Sequence, residues 1–256
     1  MGDRVKGKVV VLTGAATGIG RCFANALANE GAKLAITYHK TPCDKTIKDL
    51  QDKKADFISL KVDITKEEDT KNLAAKTVEK YGKIDILINN AAVFGDLRLV
   101  PFLALDPDVW RRVIDTNING NFYMCRSIIP AMMKQKKGVI LNIGSTIWLF
   151  PKLPLIPYIT GKAAMIGFTR CLSADPACVE NNIRVNCLMP GGTWDEATIG
   201  ILGNIPGAEE QVINGQNIKR RLMPEDLVGP MLLLISDEGG CMSGNAVAAD
   251  MGLTCW

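Results

Sequence analysis

Seven short apolar runs, each separated from the next by a longer segment of different periodicity, constrain the fold of this chain more than any other feature. The runs are VVVLTG (9–14), KLAITY (33–38), DFISLKVD (56–63), IDILINN (84–90), GVILNIG (138–144), IRVNCLMP (183–190) and NAVAAD (245–250). Helix-like stretches stand between them at Ile19–Glu30, Cys43–Lys53, Lys66–Tyr81, Pro107–Met133, Tyr158–Cys178 and Pro224–Ser236. Strands that read as unbroken apolar runs are buried on both faces, and a helix after each strand makes the sheet parallel. The pattern predicts an α/β fold: one doubly wound parallel sheet covered by helices on both sides. Ligands bind such sheets at the carboxyl ends of the strands. No linker, repeat or low-complexity tract divides the 256 residues, so 1–256 is read as one domain.

Composition narrows the classes. Thirty basic against 27 acidic residues, a net charge of +3, leaves no field for nucleic acid or an anionic membrane surface. The densest basic run, KQKKG (134–138), lies between a helix and a strand and reads as a solvated turn. The apolar run at the N-terminus ends in glycine after a few residues, unlike a signal peptide, and no stretch approaches the roughly 18 apolar residues of a membrane span. The eight cysteines (22, 43, 125, 171, 178, 187, 241, 255) form no C-x-x-C pair, and His39 is the single histidine, which disfavours a metal site. Most of these thiols read as buried small hydrophobes, in keeping with a reducing cytoplasm.

Two motifs carry chemistry. Directly after the first strand comes T-G-A-A-T-G-I-G, Thr13 to Gly20, with glycines at 14, 18 and 20 and a helix following. Small residues let the backbone approach a pyrophosphate, and the helix N-terminus offers it free N–H groups and a positive dipole end. Tyr158 and Lys162 stand four residues apart, hence on one helix face. A phenol has a pKa near 10 and is a poor acid–base at neutral pH. A nearby ammonium would favour the phenolate.

With these residues quoted, the chain resembles the classical short-chain dehydrogenase/reductase family over essentially its whole length. The family's glycine motif T-G-x-x-x-G-x-G is matched by Thr13, Gly14, Gly18 and Gly20. Its N-N-A-G motif resembles Asn89-Asn90-Ala91-Ala92, with alanine in place of the last glycine. Its structural asparagine resembles Asn117, its serine Ser145, its Tyr-x-x-x-Lys Tyr158 and Lys162, and its Pro-Gly Pro190-Gly191. The resemblance implies a Rossmann-like fold and NAD(P)-dependent hydride transfer, with Asn117, Ser145, Tyr158 and Lys162 catalytic. Ser145 would hydrogen-bond the substrate oxygen. Lys162 would also hold the ribose hydroxyls, and Asn117 a water linking Lys162 to solvent. Cofactor contacts are expected from Thr13, Gly14, Thr17, Gly18, Ile19, Gly20, Tyr38, His39, Lys40, Asp63, Ile64, Asn90, Ala91, Tyr158, Lys162, Pro190, Gly191 and Thr193, and no metal is expected.

The end of the second strand reads the 2′ position of the ribose. Tyr38 stands there without a carboxylate, and His39 and Lys40 follow, which favours NADP(H) over NAD(H). Val93, Phe94, Thr146, Ile147, Trp148, Leu153, Trp194 and Ile199 are the expected pocket residues. They are mainly apolar or aromatic, and only Arg98 and Lys152 are near enough in sequence to meet an acid. The expected substrate is therefore an apolar secondary alcohol or ketone: aromatic, alicyclic, terpenoid or steroid-like. The alternatives are 3-oxoacyl-acyl-carrier-protein reduction and a catalytically idle cofactor-binding scaffold. Residues 193–217, rich in glycine with Trp194, Ile199, Ile201 and Leu202, read as a mobile loop closing over the substrate. The resemblance implies a homo-oligomer, with a tetramer favoured; Ile128, Ile129 and Met132 on one helix and Met165, Phe168 and Leu172 on another give these helices apolar residues around more than one face, which calls for a second partner.

Overall fold

The computed structural model describes residues 2–151 and 153–254; Met1, Lys152, Cys255 and Trp256 lie outside it. Seven strands, β1 (Val9–Leu12), β2 (Lys33–Tyr38), β3 (Phe57–Lys61), β4 (Ile86–Asn89), β5 (Gly138–Ile143), β6 (Ile183–Pro190) and β7 (Ala246–Ala249), form one sheet in the order β3-β2-β1-β4-β5-β6-β7. Every pairing is parallel; Val10 lies opposite Leu34 on one side and Ile86 on the other. Strand order reverses between β1 and β4, which opens a crevice at their carboxyl ends.

The two-residue period of each strand divides the core. Val10, Leu12, Leu34, Ile36, Ile86 and Ile88 face α1 (Gly18–Asn29) and α10 (Val228–Ile235). Val11, Ala35 and Leu87 face the opposite way, toward Leu73 of α3 (Glu67–Tyr81) and Met124 and Ile128 of α5 (Gly120–Lys134). Burying each such Leu or Ile side chain is worth about 1.5–3 kcal/mol. α2 (Asp44–Asp52) completes the first half. No helix among the described residues is long and apolar enough to cross a membrane.

Several helices differ from the sequence expectation. The segment expected as one helix over Pro107–Met133 is α4 (Pro107–Ile114), a π-helical turn (Asp115–Asn119) and α5. The widened turn falls on Asn117, whose side chain is drawn to the backbone of Val93. The expected helix to Cys178 ends earlier. α6 (Ile156–Ser173) stops before Asp175, which caps a separate short α7 (Pro176–Val179), because Pro176 cannot donate into a continuing helix. Pro224–Leu227 is a 3-10 turn leading into α10. The segment read as a loop is folded: it contains α8 (Glu196–Leu202) and α9 (Ala208–Gly215). Cys43, Cys125, Cys178 and Cys187 are buried, but Cys171 and Cys241 are exposed, and Cys22 is half-buried.

Candidate active site

The glycine turn is built for close approach. Gly14 and Gly18 have φ of +67° and +54°, where a side chain is strained. A Cβ at Gly20 would collide with the Gly14 carbonyl, and one at Gly14 would come within 2.8 Å of the Ala91 Cα. Asn90 secures the turn, its amide donating to the Thr13 and Gly14 carbonyls at 3.0 Å each. Thr13 is fully buried, and its hydroxyl accepts from the Asn90 and Ala91 N–H groups at 3.0 Å. It is therefore a brace between β1 and β4 rather than a wall of the crevice, contrary to its expected place among the cofactor contacts.

A cavity of about 1670 Å³ runs from this turn across the strand ends. Gly14, Thr17, Gly18, Ile19 and Gly20 line one part; Tyr38, His39, Lys40, Asp63 and Ile64 line the side toward β2 and β3. Asn90, Ala91, Ser145, Tyr158, Lys162, Pro190, Gly191 and Thr193 line the remainder. The glycines that line the cavity at the head of α1, where helix N–H groups are free of a side-chain cap, fit the diphosphate of a dinucleotide. At the far end of β2, His39 Nε2 lies 3.8 Å from Asp63 Oδ2. Burial opposes ionisation of Asp63. Hydrogen bonds from the Thr65 hydroxyl and N–H, with His39 and Lys66 nearby, nevertheless hold its carboxyl below the usual range.

Lys162, on α6 and buried, donates from Nζ to the Ile143 carbonyl at 2.6 Å and lies 5.6 Å from the centre of the Tyr158 ring. Burial lowers its pKa to about 8. The Tyr158 ring packs on Phe94 with centroids 4.6 Å apart. Burial, and after it the Asp195 carboxylate, push the phenol above its ordinary 10. Within the protein alone, the balance at Tyr158 favours the neutral phenol.

Ser145, at the end of β5, donates to the Pro190 carbonyl at 3.3 Å and accepts from the Ile147 N–H at 3.2 Å. The Asn117 side chain both accepts from the Val93 N–H, at 2.8 Å, and donates to the Val93 carbonyl, at 3.2 Å. Asn117 is buried behind the cavity and pins the segment that carries Phe94, so its side chain does not reach the crevice.

Of the expected pocket residues, Val93, Phe94, Thr146, Ile147 and Leu153 line the cavity, whereas Trp148, Trp194 and Ile199 do not. Trp148 packs toward Ile166 and Met189; Trp194 is buried beneath the Arg221 guanidinium, 5.4 Å from its ring; Ile199 points to solvent. Leu202, named in the segment expected over the substrate, also lines the cavity; the sequence reading missed Phe150, Val212 and Leu253 on the apolar side, and Arg112, Asp195 and Glu196 on the charged side. Arg112 is paired with Asp96, while Arg98 lies outside this cavity. Of the two basic residues expected near the pocket, Lys152 lies outside the described residues.

Comparison with known proteins agrees with this geometry. The model of the short chain dehydrogenase family matches residues 8–199. The 3-oxoacyl-acyl-carrier-protein reductase of Thermotoga maritima is 32% identical over 98% of this chain and 99% of its own length. The 2,3-dihydro-2,3-dihydroxybenzoate dehydrogenase of Bacillus subtilis is 30% identical over 98% of this chain and 97% of its own. The crystal structure of a short-chain type dehydrogenase/reductase from Mycobacterium marinum superposes with a TM-score of 0.89 at 25% identity, covering 98% of this chain and 97% of that one. A glycine turn beneath a reversed strand order, a tyrosine–lysine pair on the helix opposite it, and relatives matched end to end all lead to one assignment: the chain belongs to the short-chain dehydrogenase/reductase family of NAD(P)-dependent oxidoreductases.

Proposed function

We infer that the protein interconverts an apolar secondary alcohol and its ketone, with Tyr158 as the acid–base group. The observation that carries this is the convergence of Ser145, Tyr158 and Lys162 on the cavity that the glycine turn opens. Bound nicotinamide supplies the hydride chemistry and, when oxidised, a positive charge. Tyr158 passes the proton to or from the substrate oxygen, and the Ser145 hydroxyl donates a hydrogen bond to that oxygen. Lys162 holds the ribose side of the cofactor, and its charge offsets part of the cost of forming phenolate. Asn117 positions the Val93–Phe94 backbone that packs on Tyr158.

The apolar wall of Val93, Phe94, Ile147, Phe150, Leu153 and Leu202 supports the substrate class. NADP(H) is favoured because no carboxylate ends β2 and His39 and Lys40 line the cavity there. Helices α8 and α9 cover the substrate side and form the lid. The reading of a second-copy partner shifts to other residues than expected, since Ile128, Ile129, Met132 and Met165 are buried within the protomer. Phe122 and Met133 of α5 and Trp110 of α4 are exposed and supply the apolar faces of a homotetramer. Seven free cysteines among the described residues support a reducing, cytoplasmic setting.

A second reading, reduction of a carrier-linked 3-oxoacyl group, is favoured by the names of relatives near 30% identity. The deciding experiment is a panel of cyclic and aromatic ketones, their alcohols and an acetoacetyl thioester, each followed by nicotinamide absorbance with both cofactors. Turnover of the cyclic ketones above the thioester is expected; thioester reduction alone would replace the first reading with the second. Light scattering checks the assembly, where a mass near the 27.8 kDa of one chain would remove the tetramer.

A further inference from the structure

The N–H of Gly18, the first residue of α1, already has an anionic partner. Glu196, at the start of α8, accepts from it through Oε2 at 3.0 Å. Asp195 stands beside it, its Oδ2 packed so closely on Gly18 that a Cβ there would collide with it. Thr17, the residue capping α1, makes no side-chain cap, so the orphan N–H groups of this helix are left for anions. Arg21, whose guanidinium senses the Glu196 charge, is held by Asp49 at 2.8 Å. Asp195 is fixed in place by its cap on α8, accepting from the Thr198 N–H at 2.9 Å. Two carboxylates therefore face the cradle that the glycines leave for a diphosphate.

We propose that Glu196, flanked by Asp195, is an internal competitor for the cofactor diphosphate at the Gly18 N–H and sets the affinity of the protein for both nicotinamide dinucleotides. This rests on the cofactor placement given above. Glu196 must leave the Gly18 N–H for a phosphate oxygen to take it. Asp195 remains near and opposes the incoming charge. Because the diphosphate is common to the two dinucleotides, the competitor weakens both alike and leaves the preference at the ribose untouched. It also couples entry to the lid, since Glu196 is the first residue of α8.

The test is direct binding, read without turnover. Dissociation constants for NADPH and NADH are measured by fluorescence titration on the wild type, Glu196→Gln, Glu196→Ala and Asp195→Asn. Glu196 is exposed and asparagine caps as well as aspartate, so thermal melts should show that all fold. Both Glu196 variants should bind both dinucleotides about tenfold more tightly, with the NADPH-to-NADH ratio unchanged. Inorganic pyrophosphate should displace NADPH from them at correspondingly lower concentration. Wild-type binding with variants equal to it or weaker overturns the competitor while leaving the cofactor placement standing. Failure of the wild type and every variant to bind either dinucleotide overturns the placement itself, and the inference with it.

Discussion

Lys162 Nζ sits between the Ile143 carbonyl, 2.6 Å away, and the Tyr158 ring, 5.6 Å from its centre, so one buried ammonium joins the end of β5 to the phenol. The lysine is held by a strand that runs under the cavity, not by a carboxylate. Its charge is thus available to the phenol and to a ribose hydroxyl, and burial makes that charge costly.

Removing the phenol hydroxyl tests the reaction centre. Tyr158→Phe should keep the Phe94 packing and the fold, bind cofactor as the wild type does, and lose about 10²–10⁴-fold in turnover. Steady-state kinetics beside cofactor titration separates the two effects. A variant within about threefold of wild type would take the proton-transfer role from Tyr158.

The cost of Lys162 is visible in stability. Its pKa in the folded protein is about 8 against an ordinary 10.5. Below pH 8 folded and unfolded chains both carry the proton and the burial penalty is fully present. Between about 8 and 10.5 the unfolded chain binds more protons, so stability rises with pH. Lys162→Met should lose activity and cofactor affinity, and its melting temperature should lack this rise. Parallel pH dependence in the two proteins would show that Lys162 is not strained by burial.

Much of this was legible in the sequence because it is local. Strand periodicity placed every β-strand, and the four-residue spacing of Tyr158 and Lys162 is a property of one helix. What was not legible depends on contacts between distant segments. Glu196 meets Gly18 across 178 residues, and no motif announces it. Thr13 reads as part of a phosphate loop, yet its hydroxyl is spent on Asn90 and Ala91. Trp194 reads as a residue waiting for substrate. It is buried, and a parallel bridge from Thr193 to Leu222 anchors the chain at that point. Glycine-rich composition concealed α8 and α9, because Asp195 and the left-handed Gly207 supply helix starts that an apolar periodicity does not show.

The proposed cofactor preference is tested at the β2 terminus. Tyr38→Asp should turn preference toward NAD(H), since a carboxylate there bonds the ribose hydroxyls and repels a 2′-phosphate. His39 is already drawn toward Asp63 at 3.8 Å, so Lys40, which is exposed, is the freer cation for that phosphate. Lys40→Ala should therefore weaken NADPH more than His39→Ala does. Saturation curves with both dinucleotides check this, and a wild type that prefers NADH would remove the NADP(H) assignment.

Asp195, the residue capping α8, acts on the phenol. After burial, its carboxylate raises the Tyr158 pKa by favouring the protonated form. Asp195→Asn keeps an oxygen to cap α8 at the Thr198 N–H and removes the charge. The phenolate then costs less. In the direction of alcohol oxidation, where Tyr158 must accept the proton, the rising limb of the kcat/KM profile should move to lower pH. In ketone reduction, where it must donate, the falling limb should move the same way. Both profiles are measured at saturating cofactor, so that the release of competition at Gly18 does not enter. Limbs that stay in place would mean that the nicotinamide and Lys162 charges screen Asp195 from the phenol, and would confine its part to the diphosphate end of the cavity.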